Sequence, residues 1–212
     1  MQKKLGRYAM LVFFKQRLVI LSVPKTGSTA LHEVLGAQAD LVISGPPSLK
    51  HAPLYRFNRF IRPMYEKVCG VDLDVMAVVR EPVSWLGSWY RYRQRPELEG
   101  QLNSTAGLSF DEFVTAYCSA TPPAFAKVGS QAAFLETRPN GARAKYLFAY
   151  DDRLSIEAFL AERLGTVPTM QRVNVSPRKE LALSDDVETL LRKKHAASFA
   201  LYASTLKGNL TR

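Results

Sequence analysis

The sequence predicts an α/β fold in which helices flank a central parallel β-sheet. Two runs, residues 18–23 and 74–79, are almost entirely apolar rather than alternating, which is typical of strands buried on both faces. Segments with helical character follow both runs, and strands that alternate with helices favour parallel strands joined by right-handed crossovers. The 212 residues, 47% of them hydrophobic, suffice for one sizeable core, so we expect a single domain over residues 1–212.

Further elements can be placed along the chain in order. The apolar stretch 8–14 predicts an N-terminal strand or a membrane-adjacent segment, because it is too short to span a bilayer and no signal-peptide cleavage pattern follows it. A helix is expected over 27–37, after the first buried strand, and a short strand over 40–44. The other predicted elements are a helix from Pro82 to Arg95, a helix opened by the capping box Ser109–Glu112, a strand over 145–150, a helix over 155–164 that ends at Gly165, and a last helix over 184–201.

Charge and cysteine content narrow the functional class. The net charge of +10 and the pI of about 9.7 indicate an anionic partner without choosing among nucleic acid, nucleotide, acidic glycan and membrane surface. Cys69 and Cys118 lie far apart and are predicted to be free thiols, which suits the cytoplasm. The three histidines are also scattered, with no cysteine pair nearby, so no zinc site is predicted.

The turn after the first buried strand has the composition of an anion-binding site. It joins a strand to a helix, where backbone N–H groups and the helix dipole favour negative charge. It is not a Walker-type phosphate loop, because no Gly-Lys dipeptide occurs anywhere in the chain. The residues that would hold the anion are Lys25, Thr26, Gly27, Ser28 and Thr29.

Two segments resemble the donor-binding motifs of sulfotransferases that use 3′-phosphoadenosine 5′-phosphosulfate. Residues 24–31, PKTGSTAL, match the family's 5′-phosphosulfate loop, P-K-[TS]-G-[ST]-[ST]-x-L, throughout. Arg80, at the end of a strand, is followed eight residues later by Ser88, which is the spacing with which the family reads the 3′-phosphate. Glu81 departs from the family's usual R-[ND]-P.

Weaker similarities extend the resemblance towards the C-terminus. Residues 150–152 are similar to the family's Y-E-[DN] signature, with Asp151 in place of glutamate. Residues 174–178 and 195–202 resemble the N-x-S-x-R loop and the Y-x-x-D-F-x-L-Y helix of the carbohydrate-type branch, so the resemblance is strongest to the Golgi-type and bacterial members of the family. In the second of these, His195 and Ser198 replace a tyrosine and an aspartate.

The resemblance implies a three-layer, P-loop NTPase-like sulfotransferase fold and a definite reaction. A sulfuryl group would pass from 3′-phosphoadenosine 5′-phosphosulfate to the hydroxyl of a glycan or small-molecule acceptor, with adenosine 3′,5′-bisphosphate as product and no metal required. Lys25 would stabilise the charge on the leaving phosphate. The implied donor contacts are Lys25, Thr26, Gly27, Ser28, Thr29, Arg80, Ser88 and, from the C-terminal loop, Arg178.

The base that accepts the acceptor's proton is less clearly marked. His51 is the candidate, because several branches of the family carry their catalytic histidine at a similar place, and histidine has a suitable pKa. His32 and His195 have weaker claims. Some branches use a glutamate instead, which leaves Glu33, Glu66 and Glu81 open.

Three other functions remain open on the sequence. A divergent P-loop-type nucleotide kinase would use the same turn, and a catalytically inactive sulfotransferase-like protein would only bind the nucleotide. The aromatic and arginine-rich stretch 89–93 could suit nucleic acid, but no recognition motif accompanies it, so no nucleic-acid partner is expected. In segment 52–68, Arg56, Arg59 and Arg62 indicate either a solvated helix face or a basic rim for an acidic acceptor.

Overall fold

A computed structural model describes residues 9–138, 141–165 and 181–206, and it confirms the α/β class. Five strands form one sheet in the order β3-β1-β2-β4-β5. The strands are β1 (Met10–Phe13), β2 (Leu18–Ile20), β3 (Leu41–Ile43), β4 (Asp74–Val79) and β5 (Tyr146–Ala149).

The sheet is mixed, which corrects the expectation of a wholly parallel one. β2 pairs in parallel with β4, and β4 with β5, as predicted. β1 pairs antiparallel with both β2 and β3, so it alone runs against the other four strands. The reason is the length of the connection: residues 14–17 form a turn, and a connection this short can close only an antiparallel hairpin.

The helices lie between and after these strands. The last predicted helix is in fact two, because the chain turns at His195, which ends one helix before the next begins. A π-helical turn, Phe57–Ile61, joins α3 to α4. The helices are α1 (Ser28–Leu35), α2 (Pro47–Lys50), α3 (Leu54–Arg56), α4 (Arg62–Cys69), α5 (Pro82–Arg93), α6 (Phe110–Tyr117), α7 (Gln131–Phe134), α8 (Arg153–Leu164), α9 (Asp185–Lys194) and α10 (Ala196–Leu206).

Helices cover both faces of the sheet. Successive residues of a strand point to opposite faces, so β2 sends Val19 to one side and Ile20 to the other. On the Val19 side, the segment from α3 to α4 contributes Leu54, Phe57 and Tyr65. On the Ile20 side, α1 and α8 contribute Leu31, Leu35, Ile156 and Leu160. This double coverage explains the unbroken apolar character of β2 and β4.

A separate apolar cluster holds α5 in place beyond the sheet. Most of its buried members come from α5, α6 and α9, among them Trp85, Tyr90, Phe113 and Leu191. Because α5 begins directly after β4, this cluster fixes the direction in which that helix leaves the sheet edge. None of the helices in the described ranges is both long enough and apolar enough to cross a bilayer.

The packing of α8 can be tested with two leucines on the same helix. Leu160 is fully buried and Leu154 is 80% exposed. We expect Leu160→Ala to lower the free energy of unfolding by about 2–5 kcal/mol, because it leaves a cavity against the sheet. Urea denaturation measures the change. Leu154→Ala is the matched control and should stay within about 0.5 kcal/mol of the wild type; equal effects of the two changes would contradict this packing.

Candidate functional site

The candidate site lies where three parallel strands end. The turn that contains Lys25 follows β2, Arg80 follows β4 and Tyr150 follows β5. Two backbone hydrogen bonds extend the pairing past the strands, from Leu21 N to Met76 O at 3.0 Å and from Tyr150 N to Val79 O at 2.7 Å. In open α/β sheets, ligands bind at the carboxyl ends of the strands, so this edge is where a site is expected.

The backbone of the Lys25 turn adopts a conformation that few sequences allow. Gly27 has φ of 78°, in the left-handed region that favours glycine, and a Cβ there would lie 3.1 Å from the Tyr150 ring. Lys25 also has a positive φ, 66°, which is uncommon for a residue with a side chain. Thr26 stabilises the turn by donating from its hydroxyl to Val23 O at 2.9 Å. Glycine is therefore favoured at this position by the backbone conformation and by the close approach of the Tyr150 ring.

The start of α1 presents main-chain donors. Ala30 N bonds to Gly27 O, as in an ordinary first turn. Within the described chain, no acceptor bonds to the N–H groups of Gly27, Ser28 or Thr29. Three donors at a helix N-terminus form a suitable cradle for an anion, and the helix dipole adds to the attraction.

Lys25 is a partly buried cation against aromatic rings. Its Nζ lies 3.3 Å from the centroid of the Tyr92 ring and 4.7 Å from that of Trp89. Burial, together with the smaller effects of the nearby guanidinium groups of Arg95, Arg93 and Arg80, lowers the pKa of Lys25 to about 7. The rings attract the ammonium group without neutralising it, so a bound anion would find a lysine whose charge is poorly compensated.

Arg80 is held on both its main chain and its side chain. Gln131, which is 1% exposed, accepts from Arg80 N at 2.8 Å and donates to Arg80 O at 2.7 Å. The Arg80 Nε donates to Ser84 Oγ at 2.9 Å, and the guanidinium lies 4.6 Å from the centroid of the Tyr150 ring. Burial lowers the pKa of Arg80, and the nearby Tyr150 and Asp151 raise it and so offset part of this effect.

Ser88 lies on the same helix as Ser84, one turn further on. Residues four and seven apart on a helix share a face, so Ser84, Ser88 and Arg91 line one side of α5. Burial lowers the pKa of Arg91, and the charge of Arg80 lowers it further. The two guanidinium groups are therefore close enough to repel each other. The predicted pair of Arg80 and Ser88 is therefore part of a larger polar face.

His51 reaches the same edge from α2. Its Nδ1 lies 2.7 Å from the carbonyl oxygen of Ser22, directly before the Lys25 turn. Burial lowers the pKa of His51; the hydrogen bond to Ser22 opposes this, while the charges of Lys50 and Lys25 add to it. The ring is therefore neutral at pH 7. With Nδ1–H donating to the carbonyl, Nε2 is the basic nitrogen.

The competing bases lie elsewhere or have other partners. His32 packs its ring against Gly36 within α1, and His195 stacks on Tyr117 with ring centroids 4.2 Å apart. The Glu81 carboxylate caps α5 by accepting from the N–H groups of Val83 and Ser84. Glu33 and Glu66 are exposed on α1 and α4. Arg178, with the loop 174–178, lies outside the described residues.

Sequence reasoning gave Ser84 and Gln131 no role, and it noted Trp89, Arg91 and Tyr92 only as part of the aromatic and arginine-rich stretch 89–93. Ser84 and Arg91 could have been assigned from their helical spacing to Ser88. Gln131 carried no signal, because its link to Arg80 spans 51 residues of sequence.

The cations of the site form no ion pair with a carboxylate among the described residues, although Asp151 is near enough to raise the pKa of Arg80. In the described part of the chain, ion pairs with carboxylates involve other residues and none of Lys25, Arg80, Arg91, Arg93 and Arg95. Comparison of the chain with protein-family models, with curated proteins and with solved structures gives no match. The function is therefore argued from the geometry and charge of this site.

The unpaired charge of Lys25 should reduce stability in a pH-dependent way. Lys25→Met keeps the packing on the rings, and we expect it to raise the Tm by several degrees, since 1 kcal/mol corresponds to about 2–4 °C for a chain of this size. Because the pKa is about 7 in the folded protein against 10.5 as the ordinary value, the cost of the charge is complete below pH 7 and shrinks as the pH rises from 7 to 10.5.

Thermal unfolding of the wild type and Lys25→Met at pH 6 and at pH 9.5 measures this difference. The gain in Tm should be larger at pH 6. Lys193→Met, at an exposed lysine on α9, is the control and should show no such trend. A gain that grew with pH would show that Lys25 does not carry an uncompensated charge.

Proposed function

We propose that this protein is a sulfotransferase that moves a sulfuryl group from 3′-phosphoadenosine 5′-phosphosulfate to an acceptor hydroxyl, with a glycan as the acceptor class. One observation carries the proposal. The Lys25 turn and Arg80 follow the adjacent parallel strands β2 and β4, and neither cation has a carboxylate partner among the described residues. Two anion-binding groups at one sheet edge suit a nucleotide that carries phosphates on both the 3′ and the 5′ position of its ribose.

The architecture supports the finer fold proposal, a P-loop NTPase-like sulfotransferase fold. Helices lie on both faces of the sheet, and the strand–turn–helix unit of β2 and α1 has the arrangement that phosphate-binding loops use. The order Lys-Thr-Gly-Ser-Thr places the lysine ahead of the helix, where its ammonium can face an anion bound at the first turn.

In this proposal, each end of the donor has its own set of contacts. The N–H groups of residues 27–29 and the ammonium of Lys25 hold the 5′-phosphosulfate, together with the hydroxyls of Thr26, Ser28 and Thr29. Arg80 and Ser88 hold the 3′-phosphate, and a forked guanidinium suits a phosphate well. Ser84 and Gln131 position Arg80 for this contact. Arg178 remains a proposed donor contact on the basis of the sequence.

The chemistry follows from these positions. The acceptor oxygen attacks the sulfur in line, a new S–O bond forms, and the bond between the sulfur and the 5′-phosphate oxygen breaks with its electron pair on that oxygen. Lys25 and the α1 donors stabilise this charge, and His51 Nε2 takes the proton of the acceptor hydroxyl. The products are the sulfate ester and adenosine 3′,5′-bisphosphate. In such transfers, positioning and charge stabilisation provide most of the catalysis.

The proposed acceptor class has less support than the proposed donor. A glycan is proposed from the sequence similarity of residues 195–202 to the carbohydrate-type branch and from the basic surplus of the chain. Phenols, lipids and other small hydroxyl compounds are the alternatives to include when acceptors are screened.

Donor recognition can be tested directly by calorimetry. We expect adenosine 3′,5′-bisphosphate to bind without magnesium and at least about tenfold more tightly than ATP. Arg80→Ala should weaken that binding by about tenfold to a hundredfold, because a hydrogen bond to a charged group contributes about 1.5–3 kcal/mol.

Arg192→Ala is the matched control, because Arg192 is an exposed arginine of α9 that pairs with Glu188. It should leave binding of the bisphosphate unchanged. A preference for ATP with a magnesium requirement would favour the divergent kinase and overturn the proposal.

The base can be tested by separating binding from transfer. His51→Ala should bind adenosine 3′,5′-bisphosphate like the wild type and lose transfer by about 10²–10⁴-fold, the usual contribution of general acid–base catalysis. In the wild type, activity should fall only at a pH below the ordinary histidine pKa of 6.5, because burial lowers the pKa of His51 and the protonated ring cannot act as a base.

Two variants bracket this result. His32→Ala should retain transfer, and Lys25→Met should lose nearly all of it. Loss of bisphosphate binding in His51→Ala would make His51 a donor-binding or structural residue. A bisphosphate-binding protein that transfers to no acceptor would be an inactive relative.

A further inference from the structure

The segment from α3 to α4 has an apolar face that the described protein does not cover. Its inward side chains, Leu54, Phe57 and Tyr65, are buried against the sheet. On the outward side, Phe60 is 64% exposed, Met64 47% and Val68 79%. These three residues are spaced four apart, so they form one stripe along the helical axis, which we call the outer stripe.

Positive charge lies beside the outer stripe. Arg59 and Lys67 are exposed and each directly precedes a stripe residue, and the Arg59 guanidinium lies 5.3 Å from the centroid of the Phe60 ring. The nearby carboxylates, Glu66 and Asp72, both pair with Arg62, whose single positive charge balances one of the two. With Arg59 and Lys67 added, positive charges still outnumber negative ones on this segment. The exposed face is therefore apolar with a cationic border.

The stripe differs from the other exposed apolar residues of the described chain. Leu102 and Leu154 are 88% and 80% exposed, but along the chain no other exposed large apolar residue lies within four positions of either. Scattered apolar side chains are ordinary on protein surfaces, whereas a row with a charged border marks an interaction surface. A row of large apolar side chains next to Arg and Lys is the pattern of a helix that lies in the interface of a membrane.

We propose that the outer stripe docks the protein on an anionic membrane surface. Phe60, Met64 and Val68 enter the boundary between headgroups and acyl chains, while Arg59 and Lys67 contact lipid phosphates. The contact is weak, reversible and sensitive to salt, because three side chains and a few charges provide only a marginal anchor. This surface is separate from the anion site at the sheet edge and does not depend on the proposed sulfotransferase activity.

Vesicle co-sedimentation tests the proposal with the whole chain. The wild type should bind vesicles of phosphatidylcholine with phosphatidylglycerol and should bind pure phosphatidylcholine at least about tenfold more weakly. Added salt should release it. The combined variant Phe60→Ser/Met64→Ser/Val68→Ser should lose binding at least about tenfold, and Arg59→Glu/Lys67→Glu should do the same.

Matched controls separate docking from unfolding and from general basicity. Leu154→Ser changes an exposed leucine on α8, which lies outside the outer stripe, and should leave vesicle binding unchanged. All the changed side chains are exposed, so the Tm of each variant should stay close to that of the wild type. Phe60→Trp fluorescence should be quenched by brominated lipid in the vesicles, and Leu154→Trp fluorescence should not.

Each other outcome would overturn the proposal. Binding that the serine variant retains would mean that the net charge of the chain, rather than the stripe, attracts the lipid. If the serine variant changed the oligomeric mass in light scattering but not vesicle binding, the outer stripe would be a contact between copies of this chain. Absence of wild-type binding to the anionic vesicles would end the proposal.

Discussion

The parallel pairing of β2 with β4 is the constraint on which the rest of the site depends. Backbone hydrogen bonds set the register of these strands, with Ile20 opposite Met76, and thereby fix where each chain leaves the sheet. The Lys25 turn and Arg80 are 55 residues apart in sequence and meet only through this pairing. β5 extends the arrangement, because its end brings Tyr150 against both Gly27 and Arg80.

One helix joins the core to the site. α5 buries Trp85 and Tyr90 in the cluster it shares with α6 and α9, so its orientation is set by apolar packing. The same helix presents Trp89 and Tyr92 to the Lys25 ammonium, and the Trp85 Nε1 donates to the Pro24 carbonyl at 2.8 Å. A change in the packing of α5 would therefore shift the Lys25 turn as well.

The charge of the site works against the stability of the fold. Partial burial and mutual repulsion lower the pKa of Lys25 and of Arg91, and no carboxylate offsets Lys25 among the described residues. Such an arrangement costs free energy unless an anion is bound, and it is typical of sites whose function is to hold one. The outer stripe is a second local departure from the usual pattern, because it exposes apolar surface that folding normally buries.

Local sequence patterns determined the elements and their chemistry. Apolar runs located β2 and β4, the capping box located the start of α6, and Gly165 marked the end of α8. The order of residues 25–29 predicted an anion-binding turn, since the positive φ at Gly27 and the hydroxyls are properties of a few adjacent residues.

Only the tertiary structure decided the direction of β1, the division of the last helix at His195, and the partners of each charged group. Gln131 holds Arg80 across 51 residues, and the rings of α5 flank Lys25. These contacts depend on how distant segments pack, and the spacing of residues along a chain carries no record of that. The pKa of Lys25 is the clearest case, because burial and neighbouring guanidinium groups exist only once the chain is folded.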